Sequence, residues 1–168
     1  MNRELHLHAA VFAIFIRQNE KNEGEVFLIR RYNTGFCDGM YSLPAGHMEA
    51  GELPTDAMIR EVEEEAGVVL QSQQMQLAAL IHKPYRYDLG EMSVSYLFLI
   101  EEFDTDPHNA EPERCDHADW FPLSNLPETL QPFIRPVLEE AIKNRQFMVL
   151  EGEGEESITP TYRNMNVL

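Results

Sequence analysis

The chain has 168 residues, a length that suits one compact domain, and its 43% hydrophobic content is enough to build one core. Its formal net charge of −16, from 13 Lys and Arg against 29 Asp and Glu, argues against duplex nucleic acid or an anionic membrane as partner, since both are polyanions. Cys37 and Cys115 are too few for a disulfide framework and sit in no zinc-type spacing, so a reducing, cytoplasmic setting is expected.

In chain order, the apolar run at residues 9–16 is too short to span a bilayer and precedes no small-residue cleavage site, which predicts a strand. A second strand at 26–29 follows the polar turn 18–24, as in a hairpin. Across 32–46, Gly35, Gly39, Pro44 and Gly46 break regular structure and predict a functional loop. A helix is expected from Pro54 to Ala66: Pro54 suits the first helical position, Asp56 the positive end of the dipole, and Gly67 a left-handed stop, although Leu53 is a poor N-cap. Segments 77–81 and 94–100 read as buried strands of a mixed sheet, separated by a loop with Pro84 and Gly90. Residues 104–119 form a long acidic loop before a short apolar piece at 120–123. A second helix is expected over 136–145, where Val137, Leu138, Ala141 and Ile142 make one apolar stripe. The expected division is a single domain over 1–150 and an acidic tail over 151–168, partly disordered.

The chemistry-bearing stretch runs from Gly46 through Glu52 and, after seven intervening residues, from Arg60 to Val68. At ~100° per helical residue, Glu61, Glu64 and Glu65 fall within an arc of about 100°, while Glu63 lies far round the helix. Met58, Ile59, Val62 and Ala66 occupy an adjoining arc that can pack on a sheet. Glutamates at i, i+3 and i+4 repel, costing on the order of 0.2–0.5 kcal/mol per pair. They need counter-charge, which Arg60 can supply in part by pairing with Glu64 at i+4, and a hard divalent cation in the rest. A bare acidic run is usually a solvated face. Here it coincides with fixed glycines, Glu52, an Arg-Glu pair and apolar positions.

That combination resembles the Nudix box, Gly-x5-Glu-x7-Arg-Glu-U-x-Glu-Glu-x-Gly-U with U apolar, and meets every specified position. The flanks Arg31-Tyr32-Asn33-Thr34-Gly35-Phe36, Leu43-Pro44-Ala45-Gly46-His47 and Trp120-Phe121-Pro122-Leu123 are similar to the bacterial nucleotide-hydrolase branches of that family. Residues 8–145 can be laid along it.

The resemblance implies an α/β (α+β) fold, a Nudix-type α/β/α sandwich with a mixed β-sheet and a loop-helix-loop catalytic motif. It implies Mg²⁺, with Mn²⁺ as a substitute, held by Glu61, Glu64, Glu65 and the backbone carbonyl of Ala45. Arg60 would orient Glu64, Glu52 would brace the loop against the helix, and Glu61 would contact the attacking water. Glu111 and Glu113 are the alternative bases or ligands. His82, Tyr85 and Tyr87 could line a base pocket or simply pack. His47 falls at an unspecified position, Trp120 is core or pocket wall, and Cys37 is incidental. The implied reaction is hydrolysis of a phosphoanhydride, first of a (deoxy)nucleoside triphosphate to monophosphate and pyrophosphate. Pro84, 16 residues beyond Val68, keeps ADP-ribose or a nucleoside diphosphate sugar as the second substrate class. A non-catalytic nucleotide sensor and a prenyl diphosphate isomerase rank below. The partners expected are a small nucleotide, no polymeric nucleic acid and no membrane, with a homodimer left open.

Overall fold

A computed structural model describes residues 6–86, 91–144 and 149–151. The expectations for Tyr87, Gly90 and the tail beyond 151 lie outside these residues. The elements are β1 (His6–Gln18), β2 (Gly24–Arg31), β3 (Tyr41–Ser42), β4 (Ala45–His47), α1 (Pro54–Ala66), β5 (Met75–Arg86), β6 (Glu91–Ile100), β7 (Cys115–Pro122), α2 (Ile134–Asn144) and β8 (Val149–Glu151). A single 3-10 turn, Ser72–Gln74, leads into β5.

The sheet is organised by β1. Along one edge it pairs in parallel with β6, from His6↔Glu91 to Phe15↔Ile100. Along the other it pairs antiparallel twice, with β4 over Ala10↔His47 to Phe12↔Ala45 and with β2 over Ile16↔Val26 to Gln18↔Gly24. The described strands form one mixed sheet in the order β3-β2-β1-β6-β5-β8, with β7 also on β2 and β4 on β1. A strand buried on both faces reads as a continuous apolar run, which is why residues 11–16 carry no polar alternation. The two-residue period sends Val11, Ala13 and Phe15 to one face and Ile14 and Ile16 to the other. Ala57, Met58, Val62 and Ala66 of α1 cover the first face, and Ile134, Val137 and Leu138 of α2 cover the second. The result is helix, sheet, helix.

Helix α1 begins at Pro54, after an extended Leu53 that makes no side-chain capping bond, and stops at Gly67 with φ +66°. Only a residue without a Cβ holds that angle cheaply. Elsewhere the boundaries differ from the sequence reading. The acidic loop ends at Cys115 rather than Asp119, because β7 pairs with β2 from Glu25↔Pro122 to Arg31↔Cys115. Its acids face outward, and Asp116 is bonded across the ladder by Arg30 at 2.7 and 3.1 Å, so charge there is compatible with a strand. Pro84 lies inside β5, not in a loop, at the register shift between Lys83 and Arg86. A residue with no N–H to give the ladder is tolerated at such an irregularity. The loop 32–46 contains the short strands β3 and β4, and α2 starts two residues early because Pro136 fits within a first turn.

Ile14 is fully buried at the centre of β1. Ile14→Ala is expected to lower unfolding free energy by about 2–5 kcal/mol. Urea unfolding measures it, and a loss below about 1 kcal/mol would remove Ile14 from the core.

Candidate active site

The chain enters the site along β4, which is fixed to β1 by more than its ladder. The Ala13 amide donates to the Pro44 carbonyl at 2.9 Å and the Met48 amide to the Ala9 carbonyl at 3.0 Å. Helix α1 then crosses so that two of its carboxylates rest on this strand. Glu65 accepts a hydrogen bond from the Ala45 amide at 2.8 Å. Glu61 lies directly over Gly46, where a Cβ would collide with its carboxyl group. The glycine therefore makes the space that Glu61 occupies.

Arg60 ties the loop to the helix. Its guanidinium grips Glu52 with two bonds, at 2.9 and 3.0 Å, reaches Glu61 at 2.6 Å, and donates to the His47 carbonyl at 3.0 Å. The Glu49 amide donates at 2.7 Å to Glu52 Oε2, the same oxygen that takes one of the Arg60 bonds. Spacing assigned Arg60 to Glu64, but that contact is the long one, at 3.6 Å. The i,i+4 pair is therefore present but secondary, because the turn after β4 brings Glu52 back over the first half of α1, where its two oxygens take two N–H donors of the planar guanidinium. The Arg60 bond first, and the Glu49 amide next, hold the Glu52 carboxyl at about 2.

The other acids feel the opposite pressure. Burial pushes Glu61 up, against the pull of Arg60. Burial pushes Glu65 up to about 7, opposed by the Ala45 amide and Arg31 and reinforced by the charges of Glu61 and Glu111. Glu64 stands at the rim with its side chain 58% exposed, and Glu63 faces solvent. Two carboxylates are thus desolvated beside a third, and like charges this close raise one another.

The segment after β6 closes the far side. The His108 amide donates to the Ala66 carbonyl at 3.0 Å and the Ala110 amide to the Glu65 carbonyl at 3.1 Å, satisfying the open end of α1. The His108 ring rests over Gly67, where a Cβ would strike it. Glu111 follows, near enough for its charge to act on Glu65, whereas Glu113 is exposed. His82 and Tyr85 are on β5, which is separated by β6 from β1, the strand that carries β4. His47 is exposed and gives the site its carbonyl. Trp120 packs against Phe27 and Phe103 with the Arg17 guanidinium 4.1 Å over its ring. Cys115 is buried and donates to the His117 carbonyl at 3.2 Å.

Arg31 was not singled out by sequence. Its guanidinium is held by the Phe36 carbonyl at 2.8 Å and the Thr34 hydroxyl at 3.0 Å, and its charge acts on Glu65. A cation at the end of a strand and the mouth of a glycine-rich loop was the available signal.

Among the described residues, no three His, Cys, Asp or Glu side chains converge as a closed metal site. Glu61 is turned to Arg60 and Glu65 to the Ala45 amide. The donor chemistry nevertheless fits a hard divalent cation: every donor is oxygen, and two of the carboxylates are held in a desolvated space where added positive charge favours ionisation. Such a cluster can bind a cation, gather phosphate oxygens about it, and take a proton from water.

The NUDIX domain model matches residues 6–141. The chain is 29% identical over 124 residues to the ADP-ribose pyrophosphatase of Methanocaldococcus jannaschii, covering 74% of this chain and 68% of that protein. It is 29% identical over 123 residues to the 8-oxo-dGTP diphosphatase of Escherichia coli, covering 68% and 89%. It is 30% identical over 158 residues to the RNA pyrophosphohydrolase of Agrobacterium fabrum, covering 78% and 88%. Among solved structures, a MutT NUDIX hydrolase from Burkholderia pseudomallei superposes with a TM-score of 0.68 at 27% identity, covering 80% of this chain and 98% of that one.

The raised Glu65 carboxyl gives a signed pH dependence to the metal-free protein. Its folded state binds the proton more tightly than the unfolded chain, so this contribution to stability is complete below the ordinary carboxylate value and is lost as pH rises through about 7. The depressed Glu52 acts in a separate window, its contribution being lost as pH falls towards about 2. In chelator, the melting temperature is expected to fall between pH 5 and pH 8, and Glu65→Gln is expected to flatten that fall. A wild-type protein whose melting temperature rises over this range would contradict it.

Proposed function

This chain belongs to the Nudix family and is a hydrolase of substrates linked through a nucleotide diphosphate, and on that premise we propose that it cleaves a (deoxy)nucleoside triphosphate to the monophosphate and pyrophosphate. The observation that carries the reading is the acidic edge of α1 pressed onto β4, with Glu61 over Gly46 and Glu65 on the Ala45 amide. The resemblance to an 8-oxo-dGTP diphosphatase over 89% of that protein's length supports a triphosphate. An ADP-ribose pyrophosphatase of equal identity makes ADP-ribose the second reading. Residues 1–150 are taken as the catalytic domain, working in the cytoplasm. Among the described residues, no helix is long and apolar enough to cross a membrane.

We assign Glu61, Glu64, Glu65 and the Ala45 carbonyl to Mg²⁺, with Mn²⁺ as a substitute. When bound, the cation neutralises phosphate oxygens and makes the phosphorus easier to attack. The protein's own groups do the rest. Arg60 fixes Glu61 and the loop carbonyl of His47 in one frame, which limits the reorganisation needed when substrate arrives. Glu52 holds Arg60 in that frame. Glu61 accepts the proton of the attacking water as the new P–O bond forms and the anhydride P–O bond breaks, releasing pyrophosphate. Glu111 is the second candidate for that proton. Arg31, already anchored by Thr34 and Phe36, offers a cation to the phosphates where the chain is otherwise acidic.

A product screen over dGTP, 8-oxo-dGTP, other nucleoside triphosphates, ADP-ribose, nucleotide sugars, dinucleoside polyphosphates and a 5′-triphosphate RNA tests the substrate. Release of pyrophosphate from a nucleoside triphosphate is the expected result, and exclusive turnover of ADP-ribose would replace it with the second reading. Excess chelator is expected to abolish turnover and Mg²⁺ or Mn²⁺ to restore it. Undiminished activity in chelator would rule the mechanism out. Glu64→Gln is expected to lower kcat on the order of 10²-fold, because it removes charge where the transition state needs it. Glu63→Gln, on the solvent face, is expected to stay near wild type. Equal losses in the two variants would break the assignment of this helix face.

A further inference from the structure

The acidic segment between β6 and β7 carries more order than its composition requires. Two of its amides cap the end of α1, and Pro107, between Asp106 and His108, is buried. Beyond that cap two side chains hold the chain: Asn109 by hydrogen bonds to the backbone, and Arg114 more loosely, its guanidinium 3.8 Å from the Glu111 carboxylate. Asn109 donates from Nδ2 to the Cys115 carbonyl at 2.7 Å and accepts at Oδ1 from the Glu111 amide at 3.1 Å. The Glu111 carbonyl accepts in turn from the amides of Arg114 and Cys115, both at 3.0 Å, and the Arg114 carbonyl accepts from the Tyr32 amide at 2.8 Å. Asn109 therefore joins the end of the metal-site helix to the first residue of β7, and Glu111 sits between those two fixed points. An amide side chain is needed for this, since it must donate at one end and accept at the other.

We propose that Asn109 is a positioning residue, which sets the Glu111 carboxylate towards the acidic edge of α1 by bridging the Cys115 carbonyl and the Glu111 amide. The inference rests on the metal-dependent reading of this site and adds to it a fourth carboxylate whose direction is governed from outside the helix. Without the bridge, Glu111 keeps its charge but loses its aim. A carboxylate displaced by an ångström contributes much less to a reacting centre, so the loss belongs in kcat more than in KM.

The test is a double-mutant cycle on the full chain with Asn109→Ala, Glu111→Gln and the double variant. It is read by steady-state kinetics on the nucleotide turned over fastest and, separately, by calorimetric titration with Mn²⁺ alone. If Asn109 acts through Glu111, each single variant lowers kcat on the order of tenfold or more, KM moves less than about threefold, and the double variant is no worse than Glu111→Gln. Mn²⁺ affinity falls about threefold or more in each, again without addition. Additive losses, or a single variant with wild-type kcat and Mn²⁺ affinity, overturn the proposal. If Asn109→Ala lowers the melting temperature by more than about 10 °C, Asn109→Ser replaces it in the same cycle, since its hydroxyl can still accept from the Glu111 amide, is too short to keep the bond to the Cys115 carbonyl, and adds no charge beside the site. A wild-type chain inert to every nucleotide, with the Mn²⁺ cycle still non-additive, would overturn the proposed reaction and leave this inference standing. An active wild type with additive cycles would do the reverse.

Discussion

The guanidinium of Arg60 is the interaction on which the rest of the site depends. Glu61, Glu64 and Glu65 share one helical face beside Glu52, and four carboxylates so close would drive the loop off the helix without an opposing charge. One planar fork meets Glu52, Glu61 and the His47 carbonyl together, at 2.6–3.0 Å. Arginine is suited to this because it remains charged at every accessible pH and its donors are fixed in a plane. The tether lets β4 and α1 behave as one body. It also divides the acids into two populations: Glu52 is held low by its partner, while Glu61 and Glu65 are driven upward by burial. The second population has unmet demand for positive charge, which is the property a cation site needs.

The scaffold makes that tether useful. Helix α1 buries Met58, Val62 and Ala66 on the sheet, which fixes its rotation about its own axis. With one face committed to the core, the helical period turns Glu61 and Glu65 towards β4, where Arg60 and the Ala45 amide then hold them. Gly46 removes the one atom that would keep Glu61 away. The packing of apolar side chains and the aim of the acids are consequences of the same rotation.

Helix α1 was legible in sequence because both of its ends carry local signals, Pro54 and Gly67, and because its two faces follow a single period. The layered fold followed from the resemblance that the box carries, and the apolar runs of β1 and β6 marked strands of its sheet. What could not be read depended on chain segments meeting at long range. Spacing paired Arg60 with Glu64, since i and i+4 are visible in a string, whereas the turn that returns Glu52 to the same guanidinium is not. The first five residues of β7 read as acidic loop because Asp116 lowers β propensity, and its pairing with Arg30 across the ladder is visible only in the fold. Arg31 closes β2 beside a loop and Asn109 lies in an irregular segment, so neither belongs to a period that would single it out. Pro84 looked like a loop marker because sequence does not show where a ladder is already broken.

The placement of β1 bears on how the chain folds. Its residues lie at the start of the sequence, yet its parallel partner is β6, and every pair from His6↔Glu91 to Phe15↔Ile100 spans most of the domain. Local pairing with β2 is available early, while the parallel pairing must wait until the chain has closed a long loop, and such closures are slow. During synthesis, the apolar β1 leaves the ribosome well before β6 exists to cover it. The hairpin of β1 and β2 therefore spends an interval with an uncovered apolar edge, and this is when the chain is most exposed to aggregation. A high net negative charge, which bars polyanions from the folded surface, then also acts as protection for a nascent chain whose central strand is made well before the partner that completes it.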